Sequence, residues 1–99
     1  MQDVSYQQQA MILKALAHPS RLAMVEALRS GEHCVCELQH LVGSDMSTVS
    51  KHLSVLKQAG IVTARREGVQ IYYHLRIPCI LQVFSCMTAA LQEDRLECV

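Results

Sequence analysis

A chain of 99 residues, 51% hydrophobic, with one Phe and no Trp and with nine Lys+Arg balanced by nine Asp+Glu, is sized for one domain with a small aliphatic core. That apolar content excludes a disordered chain, and no apolar run is long enough to span a bilayer. Residues 1–9 lack the basic-then-apolar order of a secretory signal, so a cytoplasmic protein is expected.

Residues 5–17 place Tyr6, Ile12, Leu13 and Leu16 among glutamines and alanines, which predicts a first helix. His18-Pro19 interrupts it, because a residue before proline avoids the helical region. A second helix is predicted from about Pro19 to Ser30, with Leu22, Val25 and Leu28 at spacing three and Gly31 as its stop. A short third helix runs from Cys34 or Val35 to Val42 with Val35, Leu38, Leu41 and Val42 turned inward, and Gly43-Ser44 forms a turn. The stretch from Asp45 to Gly60 then reads as a fourth helix, with Asp45 as N-cap and Gly60 as the left-handed residue past its end.

On that fourth helix Met46, Val49, Leu53 and Leu56 fall on one arc, while Ser47, Lys51, Ser54 and Gln58 fall on the other with Thr48 beside them. Taken alone, this is also what an ordinary amphipathic surface helix looks like. Two short helices joined by a glycine-containing turn, the second with a polar outer face, make a helix-turn-helix. Small hydroxyls let such a helix approach a groove closely, and Lys51 can reach a phosphate or a guanine edge.

After Gly60 the period becomes two: a strand over Ile61–Arg66, a turn at Glu67-Gly68 and a return strand over Val69–Leu75. Val69, Ile71, Tyr73 and Leu75 are expected inside, Gln70, Tyr72 and His74 outside, and Arg65 and Arg66 at the tip, where long cations reach phosphate or a minor groove. A last helix over about Ile77–Asp94 has Pro78 in its first turn and a stripe of Ile80, Val83, Phe84, Met87 and Leu91. The expected fold is mainly α with a β-hairpin, a winged helix-turn-helix in the order ααααββα, with residues 1–99 as one domain. Charge is unevenly spread: residues 1–44 sum to −1, residues 45–76 to +3 and residues 77–99 to −2. The basic excess sits on the fourth helix and the hairpin, as a nucleic-acid surface requires.

The run LKALAHPSRLAMVEAL, then CVCEL, then STVSKHLSVLKQAGIVTARREGVQIYYHL resembles the ArsR/SmtB family of metal-responsive transcriptional repressors over roughly residues 12–75. The resemblance implies a homodimer, paired through about residues 5–17 and 77–94, on an inverted-repeat operator in double-stranded DNA, released when inducer binds. It also implies DNA contacts from Ser47, Thr48, Ser50, Lys51 and His52, with Arg65 and Arg66 on the backbone. Ser50 and His52 come from the family pattern, since the helical wheel puts them at the edge of the outer face.

Cys34-Val-Cys36 matches the family's thiol motif in members responsive to arsenite, antimonite, cadmium and lead, and points to arsenite as inducer. The third cysteine often found three positions on is replaced here by Gln39. The physics agrees with a special geometry: residues two apart on a helix do not face each other, so Cys34 must lie off the regular helix if both thiols hold one ion. A thiol at a helix N-terminus is expected to have a lowered pKa, which favours the thiolate that binds soft ions. Arsenic(III) takes three sulfurs, so Cys79, Cys86, Cys98, a cysteine of a second subunit or a small thiol must complete the set, with Cys86 the first choice within the chain. Cys79 and Cys86, seven apart, are otherwise dimer-core residues.

His33 and His40 are possible extra ligands, which keeps cadmium, lead, mercury or zinc open as inducers, and His18, His52 and His74 are read as ordinary surface histidines for metal. Two reduced thiols, one packed inward, are the plain alternative for the pair, and a repressor whose cysteines respond to oxidation or sulfide is the other regulatory one. An enzyme is not expected, as the sequence offers no nucleotide loop, nucleophile–base pair or carboxylate cluster.

Overall fold

Local rules start the first four α-helices. The computed structural model describes residues 5–97 (of 94–97 the backbone only). Helix α1 (Tyr6–Leu16) begins at a capping box: Ser5 Oγ accepts from the Gln7 N–H at 3.0 Å, and the Ser5 N–H donates to Gln8 Oε1 at 3.2 Å. Helix α2 (Pro19–Ala27) has Pro19 in its first turn and His18 as cap, with Nδ1 accepting from the Ser20 N–H at 3.0 Å. A 3₁₀ turn over Leu28–Ser30 continues it. Helix α3 (Val35–Val42) ends at Gly43, whose φ of 73° is the left-handed conformation that closes a helix cheaply only with glycine. Helix α4 (Met46–Gln58) is capped by Asp45, whose Oδ1 accepts from the Thr48 N–H at 2.8 Å; the Thr48 hydroxyl, and then this N–H, hold the carboxyl below its usual pKa.

The strands form one antiparallel sheet in the order β1–β3–β2: β1 (His33–Cys34), β2 (Val62–Glu67) and β3 (Gln70–Leu75). The hairpin register pairs Val62 with Leu75 and Glu67 with Gln70. Helix α5 (Ile80–Glu97) follows. Val25, Val49, Leu53, Leu56 and Ile61 are completely buried, with Met24, Leu38 and Val62 around them, so α4 is the hub that α2, α3 and β2 pack against. Among the described residues no helix is long and apolar enough to cross a membrane.

Five expectations change. The strand His33–Cys34 is absent from the sequence reading, because two residues carry no period. The hairpin turn lies one residue further on, at Gly68-Val69: Gly68 (φ 63°) takes the first loop position, where a type II′ turn requires positive φ, and Val69 becomes the tip, 95% exposed rather than inward. Helix α5 begins at Ile80, since Ile77, Pro78 and Cys79 accept i→i+3 bonds in a tight turn before it; Pro78 therefore precedes the helix. Leu41 (52% exposed) and Met46 (40%) flank the Gly43 turn at the margin of the core instead of lying inside it. On α5 Leu81 and Phe84 are buried, whereas Val83, Met87 and Leu91 of the predicted stripe stand exposed.

Gly60 joins the two functional elements. Its φ is 80°, and Arg76 Nε, from the residue after β3, donates to its carbonyl at 2.6 Å while the Arg76 N–H bonds the Ile61 carbonyl at 2.9 Å. The guanidinium thus stands at the C-terminal, partly negative end of α4. A Cβ on Gly60 would lie 3.0 Å from Arg76 Nη2. Gly60→Ala is expected to lower stability by roughly 1–2 kcal/mol, the cost of a left-handed L-residue, measured by urea denaturation; an unchanged midpoint would mean that the α4–wing joint tolerates a side chain.

Candidate nucleic-acid interface and thiol site

Burial of Val49, Leu53 and Leu56 turns the opposite side of α4 to solvent, where Ser47, Thr48, Ser50, Lys51, Ser54 and Gln58 are all exposed. Among the described residues Lys51 makes no ion pair, so its charge is available to an anion.

His52 is different. It is half-buried, its Nδ1 accepts from Arg21 Nε at 3.1 Å, and its ring lies 4.4 Å from that of His18, tilted by 48°. Arg21 also donates to the Ala15 carbonyl at 3.1 Å. The expected DNA-reading side chain is therefore the link between α4 and the start of α2. Burial, His18 and Arg21 each disfavour its charged form and lower its pKa.

The two wing arginines also part company. Arg65 lies over the Tyr72 ring, 4.8 Å from its centre. Its Nε and Nη2 donate to the Glu32 carboxylate at 3.1 and 2.8 Å, and its Nη1 to Glu67 at 2.9 Å. These bonds raise the Arg65 pKa, and the Arg65 hydrogen bond lowers that of Glu32. Arg66, exposed, has no ion pair among the described residues. Neither arginine occupies the loop tip, which is Gly68-Val69.

The thiols lie on the wing's own sheet. Cys34 is the N-cap of α3 in an extended conformation (φ −76°, ψ 160°), off the helix, and pairs with Tyr72; Cys36 is the second residue of α3, and its thiol donates to Gln70 Oε1 at 3.3 Å. Glu37 closes a capping box around them: its Oε1 accepts from the Cys34 N–H at 2.9 Å and also meets His33 Nδ1 at 3.2 Å, while its own N–H faces the Cys34 sulfur. The carboxyl pKa of Glu37 is lowered by the Cys34 N–H and then by His33.

The expected fall in a thiol pKa does not occur at Cys34. The Glu37 N–H favours the thiolate, but burial and the adjacent Cys36 thiol together outweigh it, and the pKa is raised. Cys34, Cys36, Cys79 and Cys86 are all free thiols. Cys79 precedes α5, Cys86 is exposed on it, and Cys98 lies outside the described residues. Among the described residues no three His, Cys, Asp or Glu side chains gather as a metal site, so Cys86 is not brought to the pair within one protomer, and neither His33 nor His40 completes a set with it.

Sequence reasoning missed Arg21, Glu32, Gln70 and Tyr72. Each meets its partner across 31 to 38 residues of chain, where periodicity carries no signal.

Comparison with known proteins adds the family. The model described as "Bacterial regulatory protein, arsR family" matches residues 18–64. The chain is 47% identical over 66 residues to a "Biofilm growth-associated repressor" of Agrobacterium fabrum, a match covering 67% of this chain and 56% of that protein. It is 39% identical over 71 residues to an HTH-type transcriptional regulator of Methanocaldococcus jannaschii (71% and 80%). It is 42% identical over 65 residues to an arsenic resistance transcriptional regulator of Pseudomonas putida (65% and 51%). The matched part thus spans about half the length of two of these relatives. Among solved structures, Mycobacterium tuberculosis Rv0081 superposes with TM-score 0.82 at 34% identity, covering 96% of this chain and 99% of that one. The homodimeric winged helix-turn-helix domain of Mycobacterium bovis Mb0332 superposes with TM-score 0.75 at 30% identity (100% and 96%).

The His52 link gives a pH dependence with a definite sign. A histidine whose folded pKa lies below its ordinary 6.5 binds fewer protons folded than unfolded, so its stabilisation is complete above about 6.5 and is lost as pH falls through the lower folded value. His52→Asn, which keeps an acceptor for Arg21 but does not titrate, should lose less stability than the wild type between neutral and mildly acidic pH in urea melts. Parallel losses in the two proteins would contradict this.

Proposed function

We propose, starting from the fact that the chain belongs to the arsR family of bacterial regulatory proteins, that it is a homodimeric DNA-binding transcriptional repressor released from an inverted-repeat operator when arsenite or antimonite binds Cys34 and Cys36. The observation that carries the reading is the placement of the thiols: Cys34 pairs with Tyr72 of the wing, and Cys36 bonds Gln70 beside its tip.

On the DNA side, the hydroxyls of Ser47, Thr48 and Ser50 let α4 sit close in a major groove, Lys51 contacts a phosphate or a base edge, and Arg66 takes a backbone phosphate. Two-fold symmetry of the repressor matches the two half-sites. The exposed Val83, Met87 and Leu91 of α5 and Met11 and Leu13 of α1 supply the apolar surface for pairing, in keeping with the homodimeric Mycobacterium bovis domain.

On the inducer side, two adjacent soft donors, one outside the helix, suit a thiophilic ion. Each As–S bond formed from arsenous acid and a thiol releases one water. The third sulfur comes from a cysteine of the second subunit, Cys86 first among them, or from a small thiol. Binding draws Cys34 and Cys36 together, which strains the first turn of α3 and pulls on the Tyr72 and Gln70 contacts. The wing and the helix that supports α4 are thereby displaced together. Cadmium, lead, mercury or zinc could use the same thiols, as could oxidation to a disulfide. The name of the Pseudomonas putida relative favours arsenic among them.

A gel-shift series with arsenite, cadmium, zinc and an oxidant on duplex DNA tests the reading. Arsenite should release the wild type, while Cys34→Ser and Cys36→Ser should bind DNA as before and resist release. Lys51→Ala should weaken binding and reduce the log–log salt slope by about 1. Loss of DNA binding in the cysteine variants would make the pair structural. Normal arsenite release from the double Cys34→Ser/Cys36→Ser variant would move sensing elsewhere, and release by cadmium or oxidant alone would replace arsenite as inducer.

A further inference from the structure

The wing's cation is already bound to an anion of its own chain. Glu32, two residues before Cys34, presents both carboxylate oxygens to Arg65: Nε lies 3.1 Å from each, and Nη2 lies 2.8 Å from Oε1. A carboxylate and a phosphodiester offer a guanidinium the same pair of anionic oxygens. Glu67 takes Nη1, and the Tyr72 ring supports the guanidinium plane. Half of the Arg65 side chain is nonetheless exposed, as is 35% of that of Glu32, so the pair sits in a high-dielectric setting where exchange of one anion for another is inexpensive.

We propose that Glu32 is an internal competitor for the DNA backbone: it occupies Arg65 in the free protein, and a phosphate takes its place in the complex. This rests on the DNA-binding reading above. It assigns a role to a residue that lies on neither the recognition helix nor the hairpin. Because Glu32 leads directly into β1, and Cys34 pairs with the residue whose ring carries the guanidinium, the segment that holds the thiols also governs which anion Arg65 holds.

The test is a double-mutant cycle of wild type, Glu32→Gln, Arg65→Ala and the double variant. Binding is read by fluorescence anisotropy with labelled duplex DNA of mixed sequence between about 50 and 200 mM salt, where phosphate contacts dominate. Glu32→Gln should tighten binding about three- to fivefold at the low-salt end, the scale of an exposed ion pair, and leave the log–log salt slope close to that of the wild type, because Arg65 meets the same phosphate in both complexes. In the Arg65→Ala background the same change should have no effect. An equal gain in that background would mean that Glu32 merely repels DNA, and unchanged or weakened binding by Glu32→Gln would make it a residue that positions Arg65; either result overturns the proposal. If circular dichroism shows Glu32→Gln unfolded, Glu32→Asp, with its shorter reach, should give a smaller gain that again depends on Arg65. Wild-type protein that binds no duplex at any salt removes the repressor reading and this inference together, whereas wild-type binding with a flat cycle removes this inference alone.

Discussion

The backbone pairing of His33 and Cys34 with Tyr73 and Tyr72 is the contact on which the rest of this structure turns. It ends the α2 segment, starts α3, and makes the residues between them a third strand of the wing. Without it Cys34 would be free to enter α3 as a further helical residue, two positions from Cys36 and facing away from it. With it, Cys34 is held extended, the two thiols stand at the junction of sheet and helix, and the Glu37 capping box has a fixed N-cap to close on.

That junction also explains how a small domain can join two surfaces without a hinge. Alternate residues 32, 34 and 36 each reach the hairpin: Glu32 to Arg65, Cys34 to Tyr72, Cys36 to Gln70. The chain is extended through Cys34 and helical from Val35, so the first turn of α3, not a strand period, brings Cys36 to Gln70. At the other end of the wing, Arg76 ties the residue after β3 to the C-terminus of α4. The wing is therefore held at one side by the thiol segment and at the other by the C-terminus of α4. Its electrostatics follow the same plan. Arg65 is neutralised by its own chain, while Lys51 and Arg66 make no ion pair among the described residues.

Most of the fold was legible in the sequence because strong local signals agreed. The break at His18-Pro19, the cap at Asp45, the glycines at 43 and 60, and the apolar spacing of Val49, Leu53 and Leu56 all act within a few residues. What failed was either too short to have a period, as with His33–Cys34, or depended on side-chain partners distant in sequence. His52 belongs to the second kind: the helical wheel puts it at the edge of the outer face, and only the position of Arg21 and His18 turns it inward. Cys34 shows a third kind of failure. The helix N-terminus acts in the expected direction, but two other influences of local origin, burial and a neighbouring thiol, exceed it. The turn at Gly68-Val69 was missed by one residue because Glu67-Gly68 and Gly68-Val69 are both acceptable on composition, and cross-strand register decides between them.

If the thiol segment and the DNA surface are two ends of one mechanical element, their ligands must be linked reciprocally. The most direct measurement is the affinity for arsenite of the free protein and of the same protein saturated with duplex DNA, by isothermal titration calorimetry in the presence of a fixed small thiol. The account predicts that DNA weakens arsenite binding by the same factor by which arsenite weakens DNA binding. Equal arsenite affinities in the two states would contradict it, since an inducer that binds both states alike can shift nothing.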